Sequence, residues 1–452
     1  MRLLSRKAYL VLLLGDAGIL YLSVFVTLFL RHFTIPSEQL VLEHLVPFSI
    51  LFVAWFIVYF LSGLYARYTV LFLRSLPSTI FVAQVINTLL AVIFFFTVPV
   101  FAITPKTILL IYLFVSAFFL YIWRVHLYPH LRVRREFGAV FIGTSAELSE
   151  LAEEVNKDPL YPLEFRAILH PELIDAGELK STIIKLLATN KVSTIVADMG
   201  NHAIDSTLQF IYNITFVRRV AAFIDVRKLY EEVFEKLPLS LIDERWILRY
   251  IPLTTHTFYA ITKRTLDIVG AITIGAVSLI FYPFIILAIK LEDGGPIFYI
   301  SPRMGSGGKT IEIIKFRSMT GMDTGKDLLK TPSKVTRVGA FLRRTRLDEL
   351  PQLWNILMGE MSFVGPRPEA VPLAEEYIKN VKFYNLRFML TKPGLTGWAQ
   401  IRHDNHPHHE IDANATREKL AYDLYYIQRR SLLLDFYIIL LTLKTVLTKR
   451  GS

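Results

Sequence analysis

Long apolar stretches alternate with charged ones, and the alternation is lopsided along the chain. Residues 8–30, 45–64, 79–102 and 108–123 are almost wholly apolar. Each is near the ~20 residues that a helix needs to cross ~30 Å of hydrocarbon. They predict four transmembrane helices within residues 1–127. The first stretch is too long for a signal peptide and has no small-residue cleavage site behind it. Basic residues in the short loops orient the four. Arg2, Arg6 and Lys7 precede the first, Arg67 and Arg74 fall between the second and third, and Arg124, Arg132, Arg134 and Arg135 follow the fourth. The opposite loops carry Arg31 and Lys106. The positive-inside rule then places the N-terminus and everything after residue 127 in the cytoplasm. Asp16, inside the first span, reads as a polar contact between helices or as a functional intramembrane acid.

The pattern changes in residues 128–254. Short apolar runs at 138–142, 165–169, 194–197 and 220–224 are separated by helix-like stretches such as 146–156, with Thr144 and Ser145 as N-cap candidates. This rhythm predicts an open, mostly parallel, Rossmann-like sheet. The turn after the first run, IGTSAEL, has one glycine where G-x-G-x-x-G needs three, so a structural or regulatory module is favoured over dinucleotide binding. Farther on, residues 266–291 are again apolar and long enough to span. Pro283 inside them removes a backbone hydrogen bond and should kink the helix. A fifth span would export the basic residues of 292–452, whereas a re-entrant helix bent near Tyr282 and Pro283 keeps them on one side. Length and charge leave both readings open. Residues 431–447 read as an interfacial amphipathic helix or as a core helix.

Composition sharpens this division. Among 452 residues, 53% are apolar and 20% charged, which excludes a disordered or wholly soluble chain. Residues 1–127 hold 8 basic and 3 acidic side chains, and the other 325 residues hold 89 − 11 = 78. The net charge of +11 points to an anionic partner. No RNA-binding or zinc-finger signature and no basic stripe interleaved with aromatics is present, so nucleic acid is not expected. With no cysteine, disulfides, thiolate nucleophiles and iron–sulfur clusters are excluded, and any nucleophile must be oxygen or nitrogen.

The chemistry concentrates in the last 160 or so residues, in KFRSM (315–319), TRLDELPQLWN (345–355) and MSFVGPRP (361–368). Asp348 and Glu349 follow Arg343, Arg344 and Arg346. Pro351 is tolerated only in a first helical turn, so a helix should begin near Asp348, with Asp348 as its N-cap or as part of a capping box with Thr345. That is the purely structural reading. Yet Lys315, Arg317 and Arg367 lie in two further short motifs, and a helix start beside guanidinium groups is an anion site. A carboxylate there can bind Mg²⁺ or attack phosphorus. The cations would neutralise the charge that develops.

Together with KRTLDIVG (263–270), KPGLTGWAQI (392–401) and YDLYYIQRRSLLLD (422–435), these motifs resemble the bacterial sugar transferase family. These are polyprenyl-phosphate hexose-1-phosphate transferases, or monotopic phosphoglycosyl transferases, here in the long form. The resemblance covers roughly residues 255–450. It implies a membrane α-helical bundle (1–127), a Rossmann-like α/β domain (128–254) and a mostly α monotopic catalytic domain (255–452) whose re-entrant membrane helix is 266–291. It implies transfer of a sugar-1-phosphate from a UDP-sugar to undecaprenyl phosphate, with release of UMP, as the first step of exopolysaccharide, capsule or O-antigen synthesis. Asp348 would be the nucleophile that carries the phospho-sugar, Glu349 its partner, and both would hold Mg²⁺. Lys315, Arg317, Arg346 and Arg367 would contact phosphate, while Lys263, Arg264, Asp267 and Pro283 would lie at the membrane interface. The chain would be a multi-pass protein of the bacterial inner membrane with its catalytic part facing the cytoplasm, in contact with membrane lipids and able to form a homodimer.

Other signals are weaker. GSGGKT (305–310) would need glycine at 303 to be a P-loop, and Arg303 stands there. Tyr259 and Lys263 match a Y-x-x-x-K pair but lie outside the Rossmann-like segment. His403, His406, His408 and His409 read as a solvated loop rather than a metal site. The rival enzyme is a membrane-anchored nucleotide-sugar dehydratase or epimerase, and the non-enzymatic rival is a nucleotide-sensing scaffold.

Overall fold

The structure, a computed structural model, describes residues 6–65, 76–97, 105–128, 137–157, 161, 163–189, 192–253, 257–320, 334–402 and 413–447. The chain divides into two compact units, Met1–Val233 and Phe234–Ser452. The division falls 254 − 233 = 21 residues before the 254/255 boundary read from the sequence. Leu237, Ile242, Trp246 and Ile251 account for this, since all four are buried in the core of the second unit.

The first unit opens with helices α1 (Arg6–His32), α2 (Glu38–Leu61), α3 (Leu76–Thr97) and α4 (Pro105–Tyr121), the last extended by a π turn over Ile122–Leu127. Leu10–His32, Glu38–Leu61, Leu76–Thr97 and Thr107–Leu127 are long and apolar enough to cross a membrane. Apolar side chains such as Leu14, Val53, Phe96 and Phe114 face outward, as hydrocarbon requires. Inside, Phe48, Phe95, Trp55 and Tyr112 form one aromatic cluster. Several of the polar groups are paired with one another. Tyr59 donates to Gln84 at 2.8 Å, and Gln84 donates to Ser116 at 2.6 Å. Asp16 accepts from Tyr65 Oη at 2.6 Å and from the Arg124 guanidinium, which also donates to the Leu64 carbonyl. Asp16 is thus a contact between helices. Removing one partner of such a buried pair costs about 3–5 kcal/mol. A Cβ on Gly15 would lie 1.8 Å from the Trp123 ring, so only glycine lets α1 and α4 approach this closely.

Next come β1 (Phe137–Ile142), α5 (Ala146–Lys157), β2 (Leu163–Leu169), α6 (Ala176–Ala188), β3 (Thr194–Ala197), α7 (Leu208–Tyr212), β4 (Ala222–Asp225) and α8 (Val226–Phe234). The four strands form one all-parallel sheet in the order β2-β1-β3-β4. Every residue of β1 and β3 is buried, as in a sheet covered on both faces. Val140, Ile142, Ile195, Leu179 and Ile183 share its core. Ser145 does occupy the cap position of α5, its carbonyl accepting from the Ser149 N–H, but its hydroxyl is buried without a partner among the described residues and Thr144 bonds Glu172 instead.

In the second unit, α9 (Glu244–Tyr250) precedes α10 (Thr257–Ser278) and α11 (Tyr282–Asp293). The last two are apolar and meet at a 59° bend, with Pro283 in the first turn of α11 where its missing N–H costs nothing. Then follow the antiparallel hairpin β5 (Phe298–Met304) and β6 (Thr310–Phe316), the short pair β7 (Met319–Thr320) and β8 (Lys334–Val335), and α12 (Arg337–Thr345). GSGGKT is the tip of the β5–β6 hairpin, with Gly307 and Gly308 at φ +70° and +73°, so no strand–loop–helix phosphate cradle forms. After α13 (Gln352–Met358), β9 (Ser362–Val364), α14 (Val371–Asn380) and α15 (Leu386–Met389), strand β10 (Gly394–Thr396) pairs in parallel with β9. Helices α16 (Trp398–Arg402), α17 (Ala413–Arg429) and α18 (Leu432–Leu447) complete the unit. On α18, Ile438 is fully buried while Leu433, Phe436, Leu440 and Leu443 are exposed, so the helix has both a core face and an apolar outer face.

Candidate active site

Strand β6 and the 346–352 segment bring the acids and cations together. Thr336 caps α12 by accepting from the Gly339 N–H at 2.9 Å. Arg346 ends α12 at φ +59°, and this left-handed residue turns the chain into a single 3₁₀ turn, Leu347–Glu349. Helix α13 begins only at Gln352, with Pro351 before it and no side-chain cap. The expected helix start near Asp348 is met only by this 3₁₀ turn, and the α-helix itself begins at Gln352. Thr345 bonds back to the Phe341 and Leu342 carbonyls, no capping box forms, and Asp348 caps nothing. The purely structural reading of Asp348 loses its support.

Asp348 is 7% exposed, and its Oδ1 has no hydrogen-bond partner among the described residues. Burial first, and then the neighbouring Glu349 charge, push its carboxyl up to about 6 against the pull of Lys315, Arg346 and Arg343. Glu349 differs. Its Oε1 lies 3.0 Å from Lys315 Nζ and 4.0 Å from Arg346 Nη1. Burial alone would raise its carboxyl, but Lys315, Arg367 and Arg346 hold it down at about 2. Lys315 is itself lowered by burial, with the Glu349 carboxylate acting against that. Two adjacent carboxyls are thus driven apart, one permanently charged and one titrating near neutrality, as sites of chemistry often arrange.

Asn355 holds this arrangement in place. Its Nδ2 donates to the Glu312 carbonyl at 2.7 Å and its Oδ1 accepts from the Ile314 N–H, which ties α13 to the strand that carries Lys315. Arg367 is held from behind, where Arg387 Nη2 donates to its carbonyl at 3.0 Å. Arg387 is buried among Glu369, Asp423 and Tyr384, and Glu369 also pairs with Lys419. Arg317 follows Lys315 by two residues, and its guanidinium lies against Gly295.

The remaining sequence-predicted residues lie on α10 and α11. Asp267 is buried and accepts from Ser362 Oγ and the Phe363 N–H, both at 3.1 Å, which pins α10 to the start of the MSFVGPRP loop. Lys263 pairs with Asp435 at 2.8 Å, and Tyr259 donates to the same carboxylate at 2.9 Å. Arg264 donates to the Ile356 and Leu357 carbonyls. Pro283 is exposed at the bend. The Y-x-x-x-K spacing thus serves to grip Asp435 from one helix face. The His403–His409 cluster lies outside the described residues.

Sequence reasoning missed Gln352, whose Nε2 is buried without a partner among the described residues, as well as Asn355 and Arg387. Gln352 and Asn355 stand inside the quoted D-E-L-P-Q-L-W-N motif, so their polarity on an apolar helix was the available signal. Among the described residues no group of three or more His, Asp or Glu gathers to hold a metal ion.

Comparison with known proteins bears on this arrangement. The model of a family described as bacterial sugar transferase matches residues 258–449. The chain is 35% identical to the UDP-N-acetylgalactosamine-undecaprenyl-phosphate N-acetylgalactosaminephosphotransferase of Aeromonas hydrophila, over 50% of this chain and 52% of that one. It is 44% identical to the UDP-glucose:undecaprenyl-phosphate glucose-1-phosphate transferase of Escherichia coli K12, over 40% and 39% of the two chains. It is 40% identical to the protein of the same description in Caulobacter vibrioides, over 41% of this chain and 70% of that one. The matches span about half the length of the first relative and less of the second. The family match over residues 258–449, which contain Lys315, the Asp348–Glu349 pair and Arg367, together with 40% identity across 70% of the Caulobacter protein, places the chain in the bacterial sugar transferase family.

Proposed function

We propose that the chain transfers a sugar-1-phosphate from a UDP-sugar to undecaprenyl phosphate through a covalent intermediate on Asp348. The observation that carries this reading is the Asp348 carboxylate, buried, with one oxygen unengaged among the described residues, amid Lys315, Arg343 and Arg346, while Arg367 acts on the adjacent Glu349. In the first half-reaction Asp348 attacks the phosphorus that bears the sugar. The Asp348 O–P bond forms, the P–O bond to the nucleotide breaks, and UMP leaves with the bridging oxygen. In the second, the phosphate oxygen of undecaprenyl phosphate attacks the same phosphorus and Asp348 leaves as carboxylate. The product is undecaprenyl-diphosphate-sugar, and the kinetics are ping-pong.

With its carboxyl near 6, Asp348 is mostly ionised at neutral pH yet basic enough to be a competent nucleophile. Glu349 keeps its charge and so holds Lys315 and Arg346 in place. The unengaged oxygen of Asp348 fits Mg²⁺, which is commonly bound by one or two carboxylates together with substrate phosphates. Asp348, with Glu349 beside it, would hold the ion, and the ion would supply neutralisation of the diphosphate charge. Arg367 and Lys315 would bind phosphate oxygens.

The setting proposed is the cytoplasmic face of the bacterial inner membrane, at the first step of exopolysaccharide, capsule or O-antigen synthesis. The α1–α4 bundle would be the anchor, and a homodimer through the Rossmann-like sheet domain would be the assembly. The bent α10–α11 pair would enter and return to the same face, which keeps the basic residues after it in the cytoplasm. The decisive assay supplies Mg²⁺, radiolabelled UDP-sugars and undecaprenyl phosphate to wild type and Asp348→Asn. Wild type should label the lipid and the variant should not. Equal labelling by both sinks the nucleophile, and no labelled lipid from any UDP-sugar sinks the function. For the topology, Pro296→Cys should be labelled only from the cytoplasm. Position 296 is exposed, whereas a side chain at 295 would collide with Arg317.

A further inference from the structure

A cavity of about 390 Å³ opens in the second unit beside the first turns of α10, bounded by Lys263, Arg264, Ser306, Lys392 and Arg430. Neither Asp348, Glu349, Lys315 nor Arg367 lines it. Its charges are unevenly matched. Lys263 is neutralised by Asp435. Arg264 and Arg430 donate instead to neutral carbonyls, those of Ile356, Leu357, Leu390 and Ile427. Such contacts orient a guanidinium and leave its positive charge in place. Lys392 makes no hydrogen bond or ion pair among the described residues. It nonetheless converges on Arg264, since a Cβ on Gly359 would lie 3.3 Å from Arg264 Nη2 and 3.5 Å from Lys392 Nζ. Burial, and then that guanidinium, lower the Lys392 ammonium below the ordinary lysine value. The acid in the wall, Asp267, accepts from Ser362 and the Phe363 N–H and keeps its negative charge beside Lys392, so four cations, Lys263, Arg264, Lys392 and Arg430, face two carboxylates, Asp267 and Asp435.

The position of the cavity indicates what carries the anion. Leu253 and Met389 in its wall are exposed. On α10 itself, Phe258, Ile261, Leu266 and Val269 are exposed as well. Basic pockets at the cytoplasmic border of apolar helices suit lipid headgroups, with cations at phosphate depth and apolar rims for the glycerol and acyl groups.

We propose that this cavity is a second phosphate site, separate from Asp348, which takes the phosphodiester headgroup of an anionic membrane lipid. The full chain is reconstituted in vesicles of phosphatidylcholine alone, or of phosphatidylcholine with phosphatidylglycerol. Labelling of Lys392 by a neutral amine reagent is then read by peptide mass spectrometry against the exposed Lys379. A headgroup present at roughly tenfold over its dissociation constant should slow Lys392 labelling about tenfold. Inorganic phosphate added to the phosphatidylcholine vesicles should leave it unchanged. Ser306→Glu, which places a negative charge in the wall, should erase the difference between the two vesicles. Asp348→Asn should keep it.

Equal labelling in both vesicles overturns the site. Protection by inorganic phosphate alone overturns the lipid as its source, and undiminished protection in Ser306→Glu overturns the cavity as its place. Loss of protection in Asp348→Asn overturns the separation from the catalytic carboxylates. The footprint requires no sugar transfer, so it fails or succeeds independently of the proposed reaction.

Discussion

Replacing Lys315 by methionine removes a cation 3.0 Å from Glu349 while keeping most of the side-chain volume. Glu349 is only 12% exposed, so its charge would lose its main partner without gaining water. In the native protein its carboxyl sits at about 2 rather than 4.5. At about 1.4 kcal/mol per pH unit, that depression is worth roughly 3 kcal/mol of stability. A carboxyl lowered on folding adds stability above about pH 4.5 and gives it up as the pH falls through about 2. Breaking a buried pair independently suggests about 3–5 kcal/mol. Arg367 and Arg346 remain, so the lower end is expected. In a unit of this size, about 3 kcal/mol corresponds to a melting shift of roughly 6–12 °C.

The assay compares thermal melting of wild type and Lys315→Met in detergent from pH 7.5 down to pH 5. The deficit should be largest at pH 7.5 and narrow toward pH 5, because burial without Lys315 drives Glu349 to take up a proton. Lys315→Met with Glu349→Gln should melt higher than Lys315→Met alone, since the orphaned charge is gone. A deficit that is flat or grows with acid, or a double variant no better than the single one, would refute the reasoning.

Three further outcomes follow from the same geometry. In metal-free protein, infrared spectra should show a protonated carboxyl that titrates near pH 6 and vanishes in Asp348→Asn; a carboxyl fully ionised at pH 5 contradicts the burial argument. Asp267→Ala leaves the Phe363 N–H and the Ser362 hydroxyl without their acceptor and should cost about 1–3 kcal/mol for each group so stranded, so an unchanged melting point argues against the pin between α10 and β9. Gly394→Ala would put a Cβ 2.1 Å from the Gly365 nitrogen and should cost about 3 kcal/mol or more, read as a fall in melting temperature; a tolerated alanine would mean that β9 and β10 are less tightly packed than described.

What could be read from the chain alone divides along physical lines. The four spans and the strands 138–142 and 194–197 were legible because hydropathy and short apolar runs are local signals. The bend near Tyr282 was legible because Pro283 forbids an uninterrupted helix. The start of the helix after Asp348 was not, because it depends on Arg346 adopting a left-handed conformation and on one 3₁₀ turn, neither of which has a periodic signature. Asp348, Glu349, Lys315 and Arg367 drew attention through their motifs, and the fold brings the Lys315 cation to 3.0 Å from Glu349. Asn355 and Arg387 act on backbone atoms 20 to 43 residues away, and one sequence does not reveal such pairings. Residues 237–251 cluster with the second unit for the same kind of reason, since Trp246 and Ile251 are committed by long-range packing.

The Asp16–Arg124 pair also bears on how the chain enters its bilayer. One charge is on the first helix and the other on the turn that ends the fourth. An unpaired charge costs about 2.5–3.5 kcal/mol at the centre of a span and less near its end, where Arg124 lies. The first helix must therefore wait, incompletely satisfied, until the fourth has been synthesised, and insertion of the bundle ends in a single closing event. Deleting α1 would strand a guanidinium among apolar helices, so an N-terminal truncation is expected to show up first as failed membrane assembly, before any change in catalysis is measured.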